Sequence, residues 1–148
     1  MQISSLEMKR FNYLVGEIDA VYHDAALKLG LSDSVSSILY ALCDAGRGIP
    51  LNLLCRRTGI SKQTVNSALR ALERDGIVRL EAVDGKAKRV CLTEAGEIFA
   101  GRTAARLIEI ENEIFASWPR EEVAQYLALT ERYLCAFREK VGRMTKEP

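Results

Sequence analysis

Lys62, Gln63, Thr64, Asn66, Ser67 and Arg70 stand together just behind Ser61, with no acid among them. Val65, Ala68, Leu69 and Leu72 interleave with them at i, i+3, i+4 and i+7, so the segment reads as a helix with an apolar inner side and a polar outer one. That combination suits B-DNA: a helix fits the major groove, short polar side chains near its N-terminus reach base edges, and exposed backbone N–H groups can meet a phosphate. Gln63 matches adenine; Lys62 or Arg70 matches a guanine edge or a phosphate. Thr64, Asn66 and Ser67 are short enough for a thymine methyl, a base edge or the backbone. A second group, Asp84-Gly85-Lys86-Ala87-Lys88-Arg89, places three cations within four positions at an Asp-Gly turn. Such a tip can lie along phosphates, with Lys86 in or beside the minor groove. The plain alternatives are a solvated helix face and a turn that works without any nucleic acid.

The charge distribution fits either reading. The chain has 148 residues and a formal net charge of only +1. From Arg47 to Leu92, however, ten basic side chains face four acidic ones, a net charge of +6. The rest holds eleven basic and sixteen acidic residues, a net charge of −5. A basic middle between acidic ends suits a polyanion partner or, equally on charge alone, a solvated basic face with no partner.

Other chemistries find little support. Cys43, Cys55, Cys91 and Cys135 are widely spaced with no CxxC, and His23 is the only histidine, so neither a zinc site nor a metal cofactor is expected. A chain this long can bury a core without disulfides, and the cysteines read as small apolar residues, with oxidant sensing a minor option. No phosphate loop, dinucleotide-binding glycine pattern or HExxH occurs, and no catalytic residue is assigned. No apolar run approaches a membrane span, and the N-terminus lacks a signal-peptide pattern, so the expected location is the cytoplasm, with no membrane partner.

The elements that must position these residues follow from periodicity. A long first helix carries Leu14, Ile18, Val21, Ala25 and Leu29 and stops at Gly30. Ser32 or Asp33 caps a second, with Val35, Ile38, Leu39 and Leu42 inward, ending at Ala45-Gly46. Ile49-Pro50 suits a very short extended piece, and residues 51–58 form a third helix closed by Gly59. Ser61 caps the polar-faced helix, which ends at Asp75-Gly76. Residues 77–83 and 87–92 alternate as strands about Asp84-Gly85. Thr93 caps one further helix running to about Ser117, and Pro119 opens the last. Two helices with a glycine at the bend, followed at once by a hairpin, make a winged helix-turn-helix. The fold class is therefore mainly α with a small β-wing. The expected division is a lobe at 31–92, with 1–30 and 93–148 forming a helical dimerisation region. Apolar and aromatic side chains there, among them Phe11, Tyr13, Phe115, Trp118, Tyr126, Tyr133 and Phe137, suit pairing with a second copy.

The sequence resembles the MarR (multiple antibiotic resistance regulator) family. The likeness is densest at Leu53 through Val65, Leu72-Glu73-Arg74-Asp75-Gly76-Ile77-Val78, Asp84-Gly85-Lys86, and Val90-Cys91-Leu92-Thr93-Glu94-Ala95-Gly96. The resemblance implies an obligate homodimer whose two lobes read a pseudopalindromic operator, regulated by a small molecule or a redox signal, with repression the expected output. It also implies an effector crevice between dimer helices and lobe, to which Tyr22, His23 and Tyr40 are candidate contacts beside ordinary core or surface roles. The wing tip departs from the family's usual Asp-x-Arg, because lysine at 86 keeps the charge but lacks the planar fork. The alternative function is a winged-helix interaction module docking an acidic protein.

Overall fold

A computed structural model describes residues 3–46, 48–85 and 87–145. The chain divides into two compact units, Met1–Glu109 and Ile110–Pro148.

The first unit begins with α1 (Leu6–Lys28), capped by the Ser5 hydroxyl, which accepts from the Met8 N–H. Then come α2 (Asp33–Asp44), β1 (Gly48–Pro50), α3 (Leu51–Thr58), α4 (Lys62–Arg74), β2 (Val78–Val83), β3 (Ala87–Leu92) and α5 (Glu94–Arg102). Helix α6 (Ala104–Ala116) leads into the second unit, which is completed by α7 (Arg120–Gly142). Ser32, Ser61 and Thr93 are the N-caps of α2, α4 and α5, each accepting from a backbone N–H three residues on.

The core of the first unit is built where helical stripes meet the inner face of the sheet. Ile38, Leu39 and Leu42 of α2, Leu54 of α3 and Val65 of α4 are completely buried, joined by Leu69, Leu72, Val78 and Val90. Each such side chain contributes about 1.5–3 kcal/mol relative to exposure. The sheet is antiparallel with order β1-β3-β2; Ile49 pairs with Val90, and Val78 pairs with Leu92. Asp84 and Gly85, in the turn between the paired residues Val83 and Ala87, both have positive φ, 51° and 76°.

One expectation needs correction. The single helix expected from Thr93 to about Ser117 is two, because Thr103 leaves helical geometry (φ −125°, ψ −95°). Its hydroxyl donates to the Phe99 carbonyl at 2.8 Å, and its N–H turns to Ala100, so the regular ladder stops there. The helix expected over the first thirty residues is present as α1. Leu14, Ile18 and Val21 are exposed, and Ala26 is the buried residue of that helix.

In the second unit, α7 has no buried residue. Phe115, Trp118 and Tyr126 meet edge to face at centroid distances of 5.6–6.1 Å, closing the turn around Pro119. Tyr133 and Phe137 stack one helical turn apart.

The junction between wing and α5 accounts for the Leu-Thr-Glu-x-Gly segment. Thr93 donates its hydroxyl to the Gly76 carbonyl and its N–H to the Ile77 carbonyl. Gly96 lies so close that an added Cβ would sit 1.9 Å from the Ile77 oxygen. Gly101, in the same helix, has open space around it. Gly96→Ala is therefore expected to destabilise the protein by about 2 kcal/mol or more. Gly101→Ala should stabilise it by about 0.5–1 kcal/mol. Urea denaturation followed by circular dichroism separates the two, and equal effects would contradict the close approach.

Candidate nucleic-acid interface

Helix α4 is held from three sides. Gly59 closes α3 in the left-handed region at φ 63°, turning the chain sharply toward Ser61. The Ser61 hydroxyl accepts from the Thr64 N–H at 3.2 Å and lies 2.9 Å from the Thr64 hydroxyl. Val65, Leu69 and Leu72 anchor the inner side. Once these are fixed, the outer side has no freedom to rotate inward.

The outer side presents Lys62, Gln63, Asn66, Ser67 and Arg70 around one shallow concavity. All but the half-buried Asn66 are exposed. Neither Lys62 nor Arg70 makes an ion pair among the described residues, so both charges stay available. Ser61 and Thr64 belong to the same end of the helix, but their hydroxyls are already engaged with each other and with the cap.

The wing is less uniform than its sequence suggests. Strand alternation puts Lys88 with Val90 on one face of the hairpin and Arg89 with Cys91 on the other. Arg89 donates to the Gly48 carbonyl at 3.1 Å, which ties its guanidinium to β1. An added Cβ at Gly48 would stand 2.9 Å from the Arg89 Nε, so only glycine leaves room for that arrangement. Lys86 lies outside the described residues.

Arg79, to which the sequence pattern assigned no role, organises the same face. Its Nε donates to Glu81 at 2.8 Å and its Nη1 to the Leu92 carbonyl at 3.1 Å. The hydrogen bond from Arg79, with a further one involving Cys91, holds the Glu81 carboxyl below its ordinary pKa. The alternation of cation and acid at 79 and 81 was the available signal.

A second site lies between α1, α2 and the end of α3. Tyr22, His23 and Tyr40 all line one cavity of about 550 Å³, together with Asp19, Asp33 and Arg57. Ala26, Ser36 and Ala41 are its buried lining residues. His23 is not simply solvated: its Nδ1 stands 2.8 Å from both carboxylate oxygens of Asp33. Arg57 pairs with Asp44.

All four cysteines are free thiols. Burial pushes the Cys43 thiol up in pKa, opposite to what an oxidant-reactive thiolate needs. No helix among the described residues is long and apolar enough to cross a membrane.

A glycine-bent helix pair with a free polar outer face, backed by a three-stranded sheet and a basic hairpin, defines a winged-helix protein. Residues 29–89 match the model of the MarR family. The matched stretch spans α2 through the wing, and over it the chain is similar to the MarR family of transcriptional regulators, whose winged-helix fold it shares. No curated protein matches it significantly. Among solved structures it is similar to a MarR-family transcriptional regulator from Silicibacter pomeroyi, at 25% identity and TM-score 0.69, covering 96% of this chain and 93% of that one. It is also similar in fold to NMB1585, a MarR family regulator from Neisseria meningitidis, at 16% identity and TM-score 0.80, covering 93% and 98%. A third likeness in fold is to S. aureus MepR in DNA-binding conformation, at 19% identity and TM-score 0.74, covering 90% and 99%.

The Arg79–Glu81 pair yields a test. A depressed carboxyl pKa means the pair's contribution is present above the ordinary carboxylate range and is lost as pH falls through the lowered Glu81 value. Arg79→Gln should move the Glu81 carboxyl up toward its ordinary value, read by side-chain carbon NMR titration. An unmoved titration would show that Arg79 is not its partner in solution.

Proposed function

We propose that this chain is a DNA-binding transcriptional repressor that acts as a homodimer on a pseudopalindromic operator and is released by a small molecule. The observation that carries the reading is the outer face of α4, where Lys62, Gln63, Asn66, Ser67 and Arg70 share one acid-free concavity beside an exposed helix N-terminus. In the major groove, Gln63 and Asn66 would meet base edges, while Lys62 and Arg70 would take a guanine edge or a phosphate. Ser61, Thr64 and Ser67 would contact the backbone at the same helix end. Lys86, Lys88 and Arg89 would follow phosphates along the wing, Lys88 and Arg89 from opposite faces of the ribbon.

The apolar surface supports a dimer. Tyr126, Leu127, Leu129, Tyr133, Leu134 and Phe137 are all at least 41% exposed on α7, and Phe11, Leu14 and Ile18 at least 40% exposed on α1. Exposed apolar faces of this extent, on α7 and on α1 each taken by itself, call for a partner, and an identical chain supplies complementary ones by symmetry. Two joined lobes about one DNA turn apart, ~34 Å, bind far more tightly than one. The cavity holding Tyr22, His23 and Tyr40 is of a size that suits a small effector, and occupancy there would bear on the α1–α2 packing behind α4.

Fluorescence anisotropy with duplexes from the DNA flanking the chain's own gene tests this. Arg70→Ala should weaken specific binding by about 5- to 150-fold, and Lys86→Ala should reduce the salt slope by about one. Equal affinity for promoter and random duplex, or sedimentation as a monomer at tens of micromolar, would count against the reading.

A further inference from the structure

The cavity beside α1 carries an unbalanced charge. Of the two basic side chains on its wall, the Arg57 guanidinium is paired with Asp44, and the His23 Nδ1 sits against both Asp33 oxygens. Each is therefore already occupied by a carboxylate. Asp19 is on the same wall, four residues before His23 on α1, and makes no hydrogen bond or ion pair among the described residues. Its negative charge is the one left over.

A second, independent feature lies deeper. Ser36 is only 7% exposed and lines the cavity, yet its hydroxyl makes no hydrogen bond to any described residue. No side-chain polar atom among the described residues is both fully buried and unpartnered, so this hydroxyl keeps a sliver of accessible surface. A buried serine with an unused donor and acceptor is set up to meet a polar group of a guest. The rings of Tyr22 and Tyr40 line the space beside it.

We propose that this cavity takes an organic cation, an arylalkylammonium compound, rather than an aromatic carboxylate. The inference rests on the reading of the cavity as an effector site. The ammonium group pairs with Asp19, the aromatic body packs against Tyr22 and Tyr40, and the Ser36 hydroxyl anchors a polar atom of the guest. Tyrosine rings attract cations through their negative faces, which favours the same sign of charge. An anion would have to displace Asp44 from Arg57 or Asp33 from His23, and would then face Asp19 with like charge.

His23 is the only histidine, so its ring proton NMR signals report on this cavity without ambiguity. The full-length protein is titrated at low salt with 2-phenylethylamine, 2-phenylethanol and phenylacetate, which differ mainly in charge. The expected result is saturable movement of the His23 signals by 2-phenylethylamine, with affinity at least tenfold above that of phenylacetate. Asp19→Asn should weaken that binding about fivefold or more. Asp24→Asn, exposed on α1 and not on the cavity wall, should leave it unchanged. Tighter binding of phenylacetate, or an Asp19→Asn variant that binds as well as the parent, overturns the cation assignment while leaving the cavity an effector site. His23 signals that stay still with all three compounds overturn both.

Discussion

The burial of one side of α4 against α2 and the sheet is the constraint on which the rest depends. Val65, Leu69 and Leu72 are locked among Ile38, Leu39, Leu42 and Val90, in a core that tolerates little change in volume. A helix fixed along one side must present the other. The polar face of α4 is thus a consequence of packing behind it, and the residues that could read DNA owe their fixed orientation to residues that never touch it.

The same economy governs the wing. Its inner face closes the core through Val78 and Val90, while its outer face is tied by Arg79 to Glu81 and by Arg89 to the Gly48 carbonyl. Thr93 and Gly96 then fasten the base of the hairpin to the start of α5 through the carbonyls of Gly76 and Ile77. The end of α4, the wing and α5 are therefore joined by backbone hydrogen bonds and a contact that admits no side chain. Motion of α5 would be passed to the hairpin rather than absorbed in a loop.

The fold was legible in the sequence because most of its signals act over four residues or fewer. The Ser32, Ser61 and Thr93 caps, the Gly59 bend and the positive-φ pair at Asp84-Gly85 all lie where local chemistry puts them. The break at Thr103 escaped because an apolar period continues across it, and one hydroxyl with one redirected N–H is enough to stop a helix. The stripe on α1 reads as apolar and is exposed. Periodicity reports that a face is apolar, but the chain that covers it need not be the same chain.

The sequence by itself determined the helix that could enter a groove, the hairpin beside it and the basic charge they share, since each is written in short-range pattern and composition. Only the tertiary structure decided which charges remain available. It joined His23 to Asp33 and Arg57 to Asp44, placed Tyr22 and Tyr40 around one cavity, and left Asp19 alone beside them. The two ion pairs span 10 and 13 positions and depend on the rotation of one helix against another. That rotation is set by the packing of whole side-chain faces, and no local spacing encodes it.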